Sequence, residues 1–134
     1  MKNSEKLKWE KINSIKDEGE KSVTIFMDTV ENSELHFIDI DCLDKALTPE
    51  QFKKAAESIV DMNGFQPDYS HELLDSLMER QLELLGYDVL PIRKSPRYYY
   101  DPKIMRLSLV NLMNENKNKS YGGLALDICD NPEK

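Results

Sequence analysis

Little in this chain invites covalent or metal chemistry. Cysteine occurs twice, at Cys42 and Cys129, with no CxxC and no Cys/His spacing. That excludes a zinc site or a redox pair and predicts free, mostly buried thiols of a reducing compartment. Glycine is scarce, five in 134 residues, and none is arranged as a phosphate-cradling loop. HExxH, GxSxG and EF-hand patterns are also missing, so no established catalytic signature is present and no cofactor is predicted. No apolar run approaches the roughly 18 residues that span a bilayer. The start, Met1 to Glu10, is charged instead of apolar. Neither a membrane span nor a cleaved secretion signal is expected, and the predicted location is cytoplasmic.

Positive charge is the other shortage. The formal net charge is −7, which opposes non-specific attachment to a phosphate backbone because each excess carboxylate repels it. The deficit is uneven. Residues 1–85 hold 10 Lys/Arg against 19 Asp/Glu, whereas residues 86–106 hold 5 against 2. One short basic stretch therefore sits in an otherwise acidic protein. Hydrophobic residues make up 40% and charged residues 32%, enough apolar content for a folded core at a length typical of one domain. A single domain over 1–134 is expected, with residues 1–20 a peripheral helix and 129–134 a frayed tail.

The firmest local signals are helical. Thr48-Pro49-Glu50-Gln51 fits a capping box with proline at the first helical position, and Phe52, Ala55, Ala56, Ile59 and Val60 follow at the spacing of one helical face. The pattern predicts a helix over 49–62. Ser70 as a cap, Leu74, Leu77, Met78, Leu82 and Leu85 as a stripe, and Gly86 as an exit predict a second over 71–85. Asp101-Pro102 opens a third over 102–114, with Met105, Leu109, Leu112 and Met113 on one face. Ile104, Leu107 and Val110 lie off that face, so the segment is expected to be buried nearly all round, or else a strand.

Other segments are rich in β-branched and aromatic residues. Ser22 to Thr29 and Leu35 to Cys42 read as two strands of a hairpin, joined by a short loop at 30–34 and apolar on both faces. Residues 88–92 and 97–100 read as a second strand pair around Arg93-Lys94-Ser95-Pro96, and 122–128 as a last strand. The expected fold is thus α+β, an antiparallel hairpin or small sheet packed by three to four helices.

Several groups could carry function. In the hairpin, Asp28 would face His36, a carboxylate orienting an imidazole, but no nucleophile or third group accompanies them. A surface pair is the plainer reading. Asp39 and Asp41 would share one strand face, with Asp44 nearby, an arrangement able to hold Mg²⁺ in a metal-dependent enzyme. Solvated acids at a strand end are the plainer reading there. His71, in a first helical turn, carries no assigned role. A helix followed by a hairpin tipped with Arg93, Lys94 and Arg97 and backed by Tyr98, Tyr99 and Tyr100 resembles, in outline, the second half of a winged-helix DNA binder. That helix, however, carries Glu72, Asp75, Glu79 and Glu83 against Arg80 alone, and four carboxylates oppose entry into a major groove.

The leading expectation is therefore a small, acidic, non-enzymatic binding protein acting by protein contacts. An inhibitor or immunity-type antagonist of a basic, nucleic-acid-binding partner fits best, with Asp39, Asp41 and Asp44 in the contact. A winged-helix-like nucleic-acid binder using the basic hairpin is the alternative, and a metal-dependent enzyme comes third. Oligomeric state is left open.

Overall fold

The computed structural model describes residues 3–32, 34–35, 39–62, 67–94, 101–115 and 123–124. Among them every regular element is helical, which overturns the α+β expectation. The α-helices are α1 (Asn3–Asn13), α2 (Glu18–Glu31), α3 (Pro49–Met62), α4 (Pro67–Leu84), α5 (Leu90–Arg93) and α6 (Pro102–Glu115), and a 3₁₀ turn spans Ile40–Cys42.

The segment expected to be the first strand lies within α2. Its buried residues Val23, Phe26 and Val30, with partly buried Met27, repeat at i, i+3, i+4 and i+7, one helical face. Asp17 caps the helix by accepting the Glu20 N–H at 3.1 Å. The β-branched threonines are accommodated because each hydroxyl bonds back one turn, Thr24 Oγ1 to the Glu20 carbonyl at 2.8 Å and Thr29 Oγ1 to the Ile25 carbonyl at 3.0 Å. At the far end Asn32 donates its side-chain amide to the Asp28 carbonyl at 2.9 Å. Asp17→Ala is expected to lower stability by about 1 kcal/mol in a urea titration. A strand over 22–29 would leave the midpoint unchanged.

Among the described residues the expected second strand is also absent. Residues 36–38 of it lie outside the described set, and the rest runs through the 3₁₀ turn into a connection to α3. Leu35, Ile40, Leu43 and Leu47 are buried, so its apolar residues anchor an irregular segment to the helices instead of pairing with a neighbour.

α3 occupies 49–62 as expected, and its capping box is closed in both directions. The Thr48 N–H donates to Gln51 Oε1 at 2.9 Å, and the Gln51 N–H donates to Thr48 Oγ1 at 3.2 Å. α4 begins a turn earlier than predicted, at Pro67, so Ser70 lies inside the helix and not at its cap. It ends as predicted at Gly86, whose φ of 97° is the left-handed conformation that permits the Gly86 N–H to reach the Glu83 carbonyl and the Tyr87 N–H the Leu82 carbonyl. Residues 90–92, expected in a strand, belong to α5, and the partner strand at 97–100 lies outside the described residues. Of the last expected strand, the two described residues, Gly123 and Leu124, are helical. The predicted frayed tail at 129–134 and Cys129 also lie outside.

α1 is peripheral, as expected, but shorter: it ends near Ser14, and Gly19 sits inside α2 instead of terminating α1. It packs on α2, which packs on α3. α4 is the hub, touching α3, α6 and the 3₁₀ turn. The core joins Phe26 of α2, Phe52 and Ile59 of α3, Leu77 and Leu82 of α4, and Leu109 and Met113 of α6. α6 is helical but not buried all round, since Leu107 faces outward while Met105, Leu109, Val110 and Met113 are buried.

Candidate functional site

Two polar constellations stand out, one on the surface and one inside. The surface one is the acidic connection between α2 and α3. Asp39 caps the 3₁₀ turn by accepting the Asp41 N–H at 2.9 Å, and the Asp44 N–H donates to Ser22 Oγ at 2.8 Å. Asp39, Asp41 and Asp44 are all exposed, and no ion pair neutralises any of them among the described residues. Lys45, their basic neighbour, is drawn to Glu20 at 3.2 Å. Beneath the loop a cavity of about 140 Å³ is lined by Ser22, Ile25, Phe26, Asp39, Cys42 and Leu43. Cys42 is an exposed free thiol, not the buried one expected.

The loop is held from below by α4. Gln81, 1% exposed, accepts the Leu47 N–H and donates to the Leu47 carbonyl, both at 2.8 Å. One residue earlier, Arg80 donates to the Leu43 carbonyl through Nε at 2.9 Å and through its terminal nitrogen. These side chains turn an irregular segment into a defined surface, since a primary amide satisfies a backbone N–H and C=O at once. Neither was singled out from sequence. The available signal was a polar Gln81 within the apolar i, i+3, i+4 series Met78, Gln81, Leu82.

Asp39 and Asp41 are not strand-borne, and among the described residues no group of three or more His, Cys, Asp or Glu could hold a metal ion. Asp28 lies on α2, ion-paired to Lys8 at 3.1 Å, so the hairpin geometry that would have set it against His36 does not exist. His36 itself lies outside the described residues. A groove of about 410 Å³ along α1 and α2 has Lys8, Lys11, Asp28 and Glu31 on its walls, and among the described residues neither histidine nor cysteine lines it.

The second constellation takes up Arg93 and Arg106 of the basic stretch. Arg93 points at α4, 2.9 Å from Glu79 Oε2 and 2.8 Å from Glu83 Oε1. It is thus held against α4 instead of tipping a wing, although its side chain stays 39% exposed, and residues 90–92 of that wing's first strand are helical. Lys94 is exposed, whereas Arg97, Tyr98, Tyr99 and Tyr100 lie outside the described residues. One turn up α4, Asp75 meets Arg106 of α6, with Nε 3.0 Å from Oδ1 and both side chains nearly buried. The pair is ionic without hydrogen-bond alignment: Asp75 Oδ1, Glu79 Oε1 and Arg106 Nε have no hydrogen-bond partner. Burial pushes the Asp75 carboxyl up to about 7; Arg106 opposes that rise, and the neighbouring Glu79 and Glu72 add to it.

No protein-family model, curated protein or solved structure matches this chain. No described helix is long and apolar enough to cross a membrane.

Proposed function

We propose that this chain is a small acidic binding protein, not an enzyme, that acts by contact with a protein partner bearing a basic surface, as an inhibitor or antagonist of a nucleic-acid-binding protein would. The observation that supports it is the Asp39–Asp44 loop: three exposed carboxylates without counter-ions among the described residues, on a backbone held by Arg80 and Gln81. Pre-ordered charge is what speeds association and rejects partners of the wrong sign, because little conformational freedom is lost on docking. The net charge of −7 reinforces the attraction at long range. The nucleic-acid reading loses support, since Arg93 is already ion-paired with Glu79 and Glu83. A reducing, cytoplasmic setting fits the free Cys42 thiol.

Capture from a lysate of the native host with the wild-type chain and with Asp39→Lys/Asp41→Lys/Asp44→Lys tests the reading. A salt-sensitive protein partner is expected to bind the wild type and to bind the triple variant on the order of tenfold or more weakly. The melting curve should scarcely move, because all three substitutions are on the surface. Equal capture by both chains rejects the loop as the contact, and recovery of nucleic acid without a protein partner rejects the reading as a whole.

A further inference from the structure

We propose that the seam between α4 and the α5–α6 segment is a proton-binding lock: one proton balances its three carboxyl groups against its two guanidinium groups, and release of that proton loosens α6 from α4. The inference is independent of the binding role of the acidic loop.

The charge count comes from placement. Asp75, Glu79 and Glu83 stand four residues apart and share one face of α4. Opposite them are Arg106 on α6 and Arg93 on α5, paired to Asp75 and to Glu79 with Glu83 respectively. Glu72, on the same helix, is exposed and adds to the negative potential at Asp75. Fully ionised, these five groups hold one negative charge in excess among the described residues. Solvent disperses that excess poorly at Asp75, Glu79 and Arg106, which are 8%, 7% and 8% exposed, and better at Glu83 and Arg93, whose side chains are 33% and 39% exposed. An uncompensated charge in such a place is strongly disfavoured, and uptake of one proton removes it.

Hydrogen bonding points the same way. Glu79 Oε1 is a buried acceptor without a hydrogen-bond partner, Asp75 Oδ1 has only the poorly aligned Arg106 Nε at 3.0 Å, and protonating a carboxyl replaces one acceptor by a donor. Asp75 is where the proton resides, consistent with its carboxyl being pushed up to about 7 by burial. When α6 separates, Asp75 meets water and returns to its ordinary value of 3.8. The closed form therefore binds the proton more tightly than the open form. Its advantage is complete below about pH 3.8 and is lost progressively as pH rises to about 7. Met105, Leu109, Val110 and Met113 keep α6 attached by apolar burial at every pH, so the lock alters how often α6 opens and not whether the domain exists.

Amide hydrogen exchange along Met105–Met113 of the full chain, corrected for intrinsic exchange, reads the opening equilibrium directly. Opening is expected to grow by up to about tenfold per pH unit as pH climbs towards 7, and to level off above it. Asp75→Asn, which is neutral at every pH, should remove that slope. A flat wild-type profile, or a variant with the wild-type slope, overturns the proposal. If Asp75→Asn does not fold, Glu79→Gln serves: deleting the neighbouring carboxylate should move the wild-type midpoint to lower pH. An unmoved midpoint overturns the proposal equally.

Discussion

Replacing Gln81 by Met is expected to cost about 2–3 kcal/mol, read as a lower urea midpoint at unchanged slope. The two residues are close in volume, so little of that cost comes from packing. It comes from two buried hydrogen bonds, each 2.8 Å, between the Gln81 amide and the backbone N–H and C=O of Leu47. Each bond is worth on the order of 1 kcal/mol net, with a further penalty for polar groups that stay desolvated. The same variant should reach the surface. With Gln81 gone, the segment running from the 3₁₀ turn to α3 keeps Leu43 and Leu47 as apolar anchors and Arg80 as a polar tie to α4, but loses the two bonds of the Gln81 amide. Exchange of amides in 41–47 should then accelerate more than that of α3. An unchanged midpoint would mean that the Gln81 amide contributes nothing to holding Leu47 or the acidic loop.

Phe26→Ala should be the more damaging substitution, at about 3–5 kcal/mol, because a side chain 1% exposed leaves a large cavity among helices that relax only partly. Its neighbour Ile25 is the control. In a strand buried on both faces, adjacent residues would bury alternate sides and cost similar amounts. On α2 they point about 100° apart, Phe26 into the core and Ile25 towards a partly exposed edge. Ile25→Ala should thus cost less than half as much, in thermal or urea melts. Equal costs would restore the two-faced strand.

The misreading of 22–29 has a physical cause. Val23, Thr24, Ile25, Thr29 and Val30 are β-branched, and their stiffness favours extended backbone when a residue is weighed in isolation. Propensity differences of a few tenths of a kcal/mol per residue are small beside burial of Phe26 and Val30, so the helical spacing of the apolar residues prevails. Asp17 and Glu20, three apart ahead of that spacing, were the overlooked start signal. At residues 88–92 the reading failed differently. Pro91 cannot donate to a ladder, and a proline near the start of a short helix loses nothing, which is the place it takes in α5.

What the sequence determined by itself are the features whose partners lie within one helical turn. The Thr48–Gln51 capping box, the helices over 49–62 and 102–114, and the Gly86 exit from α4 are each written in residues three or four positions apart, or in a single backbone conformation. The acidic character of Asp39, Asp41 and Asp44, and their exposure, were legible for the same reason. Tertiary structure alone decided where the remaining charges went. Arg93 is as basic as any wing residue until α4 brings Glu79 and Glu83 beneath it. Asp75 is an ordinary helix carboxylate until α6 delivers Arg106 and excludes water. Gln81 becomes a clamp only because a backbone 34 residues away folds onto it. Electrostatic and hydrogen-bond energies depend on distance and on the surrounding dielectric, and neither is a property of a residue type or of its neighbours along the chain.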